Sequence, residues 1–159
     1  MWTRLQVFQR VLGILGCSAL LISAQGALAG GEYGTAEEAQ AMLERAVIAI
    51  DADEAAALSA FTEGSDGFKD RDLYVFCGDA AAGTMTAHGA NAALVGKSLR
   101  DIQDKAGKKI GEAFYAAAAE GEFNVVEYVW PRPGETEPVA KASYITTAGG
   151  QVCGVGYYQ

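Results

Sequence analysis

The sequence has few basic residues for its size. Its 159 residues include 12 lysines and arginines against 20 acidic residues, which gives a formal net charge of −8 at pH 7. Proteins bind nucleic acids and anionic membrane surfaces through clustered Lys and Arg side chains, so this balance argues against both kinds of partner. Apolar residues nevertheless make up 50% of the chain, which excludes a disordered protein and is enough for the core of one domain.

The residues that usually carry catalysis or bind metals are also scarce. His88 is the only histidine, and no G-x-S-x-G, C-x-x-C or H-E-x-x-H pattern occurs. Residues 91–98 end like a phosphate-binding loop, but Asn91 stands where that loop needs a glycine. We therefore predict a protein that is not an enzyme and that has no cofactor and no metal site. A hydrolase that uses His88 with a neighbouring acid is kept as an alternative.

Residues 1–29 have the pattern of a secretory signal peptide. Arg4 and Arg10 lead into an almost wholly apolar run over residues 11–22, and the segment ends in Ala-Leu-Ala at residues 27–29, which is a cleavage-site pattern. The apolar run is shorter than the ~20 residues of a membrane-spanning helix. An uncleaved membrane anchor is the alternative, and a membrane contact is expected only in that case.

The rest of the chain, residues 30–159, is predicted to form one domain in the periplasm or outside the cell. Removing the signal peptide takes away two basic residues and one of the three cysteines, so the net charge becomes −10 and the cysteines that remain are Cys77 and Cys153. In an oxidising compartment two cysteines are expected to pair, which predicts a Cys77–Cys153 disulfide. Two inert buried thiols are the alternative.

The apolar spacing changes along this domain from a helical to a strand period. Residues 35–38 (Thr-Ala-Glu-Glu) form a capping box, and helical spacing behind it predicts a helix over residues 36–50. A second helix is expected after residues 51–54 (Asp-Ala-Asp-Glu), which repeat this capping pattern. The later part predicts a helix over residues 111–120 and five strands, at residues 73–78, 84–88, 123–130, 139–147 and 151–158. This is an α+β domain, with the N-terminal helix beside an antiparallel meander.

Six short segments carry a more specific pattern. They are residues 72–76 (DLYVF), 87–89 (AHG), 91–97 (NAALVGK), 127–134 (EYVWPRPG), 137–144 (EPVAKASY) and 152–158 (VCGVGYY). In this order they resemble single Cache domains, which are extracytoplasmic ligand-sensing modules related in shape to PAS domains. The resemblance spans about residues 35–159. It implies a long N-terminal helix packed on a five- to six-stranded antiparallel sheet whose other face holds a small molecule, often a short carboxylate.

The resemblance also implies a ligand site. Its candidates are Tyr74, Phe76, His88, Trp130, Lys141 and Tyr144. Lys141 would pair with the carboxylate, the two tyrosines would donate hydrogen bonds, Trp130 would form a wall and His88 would meet a second ligand oxygen. Composition alone favours the alternative, in which the aromatic rings are core packing and Lys141 is a surface residue.

The expected function is therefore the binding and sensing of a small organic anion. Because no further segment follows Gln159 in this sequence, we expect the domain to act with a separate partner, such as a membrane-bound sensor kinase, a chemoreceptor or a transporter. A ligand-free interaction or structural protein with the same fold is the alternative.

Overall fold

The computed structural model describes residues 31–159, and the predicted signal peptide lies outside the described residues. The helices are α1 (Ala36–Ala52), α2 (Glu54–Glu63) and α3 (Ile110–Ala117), with a short 3₁₀ turn at Ala92–Leu94. The strands are β1 (Lys69–Asp70), β2 (Leu73–Asp79), β3 (Met85–His88), β4 (Asn124–Pro131), β5 (Pro138–Ala148) and β6 (Gln151–Tyr158). The predicted α+β class is confirmed. Of the described helices, none is both long and apolar enough to cross a membrane.

Local capping explains where α1 and α2 begin. Thr35 Oγ1 accepts from the backbone N–H of Glu38 at 3.2 Å, and Glu38 Oε2 accepts from the backbone N–H of Thr35 at 2.9 Å. This reciprocal pair is the predicted capping box. The carboxylate of Asp53 caps α2 by accepting from the N–H of Ala56 at 3.0 Å.

The sheet is antiparallel, but it is not a simple meander. Its order is β1-β2-β6-β5-β4, and β3 pairs with β2 beside β1. β4, β5 and β6 follow one another as predicted, but β6 then returns to pair with β2 in the centre of the sheet. β1 was not predicted because two residues are too few to show an alternating pattern.

Two glycines of β6 keep the middle of the sheet open. Gly154 and Gly156 belong to β6, which is a central strand between β2 and β5. A Cβ at Gly154 would collide with the ring of Phe76, and one at Gly156 would collide with Lys141 Cε and Ser143 Oγ. The missing side chains therefore leave room for residues of β2 and β5 to lie across β6.

The sheet divides the core into two layers. Leu73, Val75 and Cys77 of β2 point to one face and are covered by α1 and α2. Tyr74 and Phe76 point to the other face, where the short helix α3 covers only part of the sheet. The alternation along β2 thus separates a closed core from a face that has space for another molecule.

The predicted disulfide is confirmed. Cys77 and Cys153 are directly opposite each other in β2 and β6, with their Cα atoms 4.1 Å apart and their sulfur atoms 2.05 Å apart. The bond joins strands separated by 76 residues in the chain.

Replacing both Cys77 and Cys153 by alanine should lower the free energy of unfolding by roughly 2–5 kcal/mol, because the bond restricts the unfolded chain. Urea unfolding followed by circular dichroism, with and without dithiothreitol, measures this loss. The reductant should destabilise the wild type and leave the double variant unchanged. Equal stability of the oxidised and reduced wild type would contradict the prediction.

Candidate functional site

A cavity of about 490 Å³ opens on the face of the sheet away from α1. Its floor and walls come from β2, β3 and β4 through Tyr74, His88 and Trp130, and its mouth lies between three loops. The lining also includes Leu94 of the 3₁₀ turn, Pro131 at the end of β4, and the loop residues Ala90, Asn91, Gln103, Asp104, Lys105, Arg132, Pro133, Gly134 and Glu135. The structure therefore brings three of the six predicted ligand residues to one cavity.

Tyr74 presents a protonated hydroxyl at this cavity. The side chain is 3% exposed, and burial followed by the neighbouring phenols of Tyr128 and Tyr158 raises its pKa well above the usual value. Its oxygen accepts a hydrogen bond from Lys141 Nζ at 2.9 Å. With this lone pair engaged, the hydroxyl can still donate its proton, for which the oxygen of Tyr158 is a neighbouring acceptor.

His88 is held as a neutral imidazole. Its Nδ1 faces the backbone N–H groups of Ala90 and Asn91, which donate to it at 3.3 and 3.0 Å. Burial, and then the charge of Lys141, lower the pKa of His88 to about 4. Because Nδ1 is an acceptor, the proton of the neutral ring is assigned to Nε2, so His88 is a hydrogen-bond donor there.

Lys141 lies behind the cavity wall rather than on it. Its side chain is completely buried, and Nζ donates to the hydroxyls of Tyr74 at 2.9 Å and Tyr158 at 3.2 Å. Nζ also lies 4.2 and 4.4 Å from the centroids of these two rings. The resemblance implied a direct ion pair between Lys141 and a ligand carboxylate. In the structure Lys141 does not line the cavity, because its side chain crosses Gly156 towards the two tyrosines.

The charge of Lys141 is affected by two opposing influences. Burial lowers the pKa of its ammonium to about 7, while the carboxylate of Asp72 acts in the opposite direction. Near neutral pH the group therefore changes easily between its charged and neutral forms, and a nearby anion favours the charged one.

Phe76 and Trp130 belong to the apolar side of the site. Trp130 lines the main cavity and also a smaller space of about 20 Å³ behind it. Phe76 lines the smaller space, where its ring centroid lies 5.2 Å from that of Phe114. Phe76 therefore shapes the inner end of the site and does not reach the main cavity.

Tyr144 lies on the opposite face of the sheet. It falls between Ser143 and Ile145, which point towards the cavity side, and its ring packs 5.9 Å from that of Tyr157 near α1. The structure does not bring Tyr144 to the cavity. The resemblance included it, but alternation along β5 separates it from Lys141.

Sequence reasoning did not identify two loop residues of the site, Asp104 and Arg132. Asp104 accepts from the N–H groups of Ala106, Lys108 and Val129, so it fastens its loop to the edge of β4. Burial raises the pKa of Asp104, but the hydrogen bonds from backbone amides outweigh this and lower it overall. Arg132 stands in the Trp-Pro-x-Pro-Gly pattern, where its position between two prolines could have drawn attention to it.

The described residues contain no group of three or more His, Cys, Asp or Glu side chains placed to hold a metal ion. The site instead combines hydroxyl and imidazole donors, aromatic walls, and the cations Lys105 and Arg132 beside the carboxylates Asp104 and Glu135. Its donors and cations suit a small anionic molecule.

Comparison with known proteins identifies the family of this chain and a related receptor. Residues 54–149 match the Cache domain family. Over 76 residues the chain is 38% identical to the methyl-accepting chemotaxis protein McpP of Pseudomonas putida, a match that covers 48% of this chain and 14% of that protein. The matched region is therefore a small part of that receptor.

Solved structures share the fold over most of the chain. One, described as the periplasmic sensor domain of a chemotaxis protein, has a TM-score of 0.56 at 30% identity and is matched over 77% of this chain and 88% of its own. A methyl-accepting chemotaxis protein from Vibrio parahaemolyticus has a TM-score of 0.63 at 23% identity, with coverages of 77% and 86%. A Cache chemosensory domain described for carboxylic acid recognition has a TM-score of 0.57 at 24% identity, with the same coverages.

The buried Lys141 should make stability depend on pH. Between about pH 7 and the pKa of 10.5 of a free lysine, the unfolded chain binds a proton that the folded chain does not, so the free energy of unfolding should rise with pH. The slope from one such group is at most about 1.4 kcal/mol per pH unit. Urea unfolding at pH 7, 8 and 9 measures it, below the range in which tyrosines ionise.

Lys141→Met should remove this rise, whereas the matched change of an exposed lysine, Lys97→Met, should preserve it. A wild type whose stability is flat or falls from pH 7 to 9 would contradict the assignment.

Proposed function

The chain belongs to the Cache domain family, and on this premise we propose that it is a periplasmic or secreted module that binds and senses a short organic anion such as a carboxylate. The relatives support this proposal, because two are methyl-accepting chemotaxis proteins and one solved Cache domain is described for carboxylic acid recognition. The observation that carries it in this chain is the pair of donors, Tyr74 and His88, at one cavity.

The two donors suit a carboxylate because both present a proton and neither carries a negative charge. The Tyr74 hydroxyl stays protonated through burial, and the His88 imidazole is neutral with its proton on Nε2. One carboxylate oxygen can accept from each. Hydrogen bonds to a charged acceptor are shorter and stronger than those between neutral groups.

Lys141 strengthens this arrangement from behind the wall. Because its ammonium donates to the oxygen of Tyr74, it polarises the phenol and makes the hydroxyl a better donor, as in other chains of hydrogen bonds. Lys105 and Arg132 at the cavity add positive charge closer to solvent. Asp104 contributes less negative potential than its charge suggests, since both its oxygens accept from backbone amides.

The size of such ligands limits their affinity. The best small ligands gain at most about 1.5 kcal/mol per non-hydrogen atom, so acetate, with four such atoms, binds no tighter than a Kd of roughly tens of micromolar. The same limit is about 3 μM for propionate, which has five such atoms, so we expect dissociation constants in the micromolar to millimolar range for acids of this class.

We propose that the module is not an enzyme. The hydrolase alternative needs a carboxylate on His88, and in residues 31–159 both hydrogen bonds to Nδ1 come from backbone amides. A ligand-free interaction protein is the other alternative, and an open cavity of about 490 Å³ favours binding over it. As the partner we propose a membrane-bound chemoreceptor, sensor kinase or transporter that responds to the liganded form.

A series of formate, acetate, propionate and butyrate tests the proposal by thermal shift and by isothermal titration calorimetry. At least one acid should stabilise the protein, and Tyr74→Phe should weaken its binding by about ten- to a hundredfold, which is the range for losing a hydrogen bond to a charged group. Circular dichroism establishes that the variant is folded.

The matched control is Tyr144→Phe, which removes the same hydroxyl from the opposite face of the sheet. It should bind the acid as well as the wild type. The proposal fails if no acid in the series stabilises the protein, or if Tyr74→Phe and Tyr144→Phe bind equally well.

A further inference from the structure

The segment before α1, residues 31–34, is attached to the same part of the molecule that borders the cavity. Arg71 Nη1 donates to the carbonyl oxygens of Gly31 and Tyr33 at 3.2 and 2.9 Å. Asp72 Oδ1 accepts from the backbone N–H of Gly34 at 2.7 Å. The segment is thus fastened to the turn between β1 and β2, one residue from the strand that carries Tyr74.

Close packing fixes where this segment lies. A Cβ at Gly34 would collide with the side chain of Leu73, so the backbone passes directly over the first residue of β2. Tyr33 stands next to this contact and is 44% exposed. Its ring is therefore held by its neighbours rather than by the core.

Arg132 connects this segment to the cavity. Its guanidinium carbon lies 4.3 Å from the ring centroid of Tyr33 and 4.8 Å from that of Tyr158, and the same side chain lines the cavity. Stacking on two rings holds the cation by cation–π attraction.

The ion pair between Arg132 and Asp72 is too long to be a hydrogen bond. Arg132 Nε lies 3.6 Å from Asp72 Oδ2, and both atoms are buried without a hydrogen-bond partner among residues 31–159. Buried polar atoms are nearly always hydrogen-bonded, so an unmade pair of this kind needs an explanation. Nε faces Asp72, but the same side chain lines the cavity, so an anion there offers the guanidinium an alternative acceptor.

We propose that an anion bound in the cavity draws Arg132 away from Tyr33 and so loosens residues 31–34, which makes the start of α1 the place where occupancy is read. This inference rests on the proposed function. In the empty state Arg132 stacks on Tyr33 and faces Asp72; in the occupied state its guanidinium donates to the bound anion. The two states differ in contacts at both places, as coupling between two sites requires.

Thermodynamic reciprocity gives a second consequence. If the anion must break the contact between Arg132 and Tyr33, part of its binding free energy is lost in doing so. Removing the contact beforehand should therefore strengthen anion binding by the factor that this loss represents. Tyr33→Leu should therefore bind propionate more tightly by about two- to fivefold, the factor that corresponds to an exposed cation–π contact. A purely structural role for Tyr33 predicts equal or weaker binding.

Hydrogen exchange of the full chain, with and without saturating sodium propionate, tests the proposal. Peptides covering residues 31–36 should exchange about two- to fivefold faster with propionate. Arg132→Gln should exchange fast in both conditions. The matched control is Lys97→Gln, which removes an exposed cation outside the cavity lining and should keep the propionate-dependent change.

The outcomes separate this inference from the proposed function. If propionate stabilises the wild type but exchange in residues 31–36 is unchanged or slower, or if Arg132→Gln responds as the wild type does, the coupling is overturned and anion binding stands. If no acid of the series from formate to butyrate binds, the proposed function fails and the coupling fails with it.

Discussion

The ammonium group of Lys141 is buried against one face of the β-sheet. A buried charge is costly unless neighbouring groups provide the interactions that water would make. Two phenol oxygens accept from the ammonium, two aromatic faces lie within 4.4 Å of it, and the carboxylate of Asp72 favours its charged form. The position exists because β6 carries glycine at residue 156, where any side chain would collide with Lys141. These substitutes for water are incomplete, so the pKa falls to about 7.

The cavity walls are tied to this group. Tyr158, which accepts from Lys141, donates to the carbonyl oxygen of Pro131 at 2.6 Å and so fixes the end of β4 where the loop with Arg132 starts. On the other side of the mouth, Asp104 accepts from Val129 N–H and Lys108 donates to the Glu127 carbonyl. Both loops are therefore held against β4, which fixes the two sides of the cavity mouth.

Features fixed by neighbouring residues were predictable from the sequence. The capping box at Thr35 and the acidic segment at residues 51–54 indicated the starts of two helices. The Cys77–Cys153 bond is a contact between distant residues, and it was predictable only because two cysteines remain after the predicted signal peptide. Features that depend on pairing distant strands were not. The pairing of β6 with β2 joins the first and last long strands of the chain, and no local sequence pattern predicts it.

The candidate site shows the same division. The resemblance led to Tyr74, His88 and Trp130, which meet at the cavity, but it also included Tyr144, which alternation along β5 turns to the other face. Whether Lys141 touches a ligand directly or through Tyr74 depends on the path of its side chain over Gly156.

The central claim is that a bound anion favours the charged form of Lys141. Titration calorimetry with sodium propionate at pH 8, in buffers of different ionisation heats, tests this claim most directly. Since the free protein holds Lys141 mostly neutral at that pH, binding should take up a proton; binding without proton uptake would contradict the account.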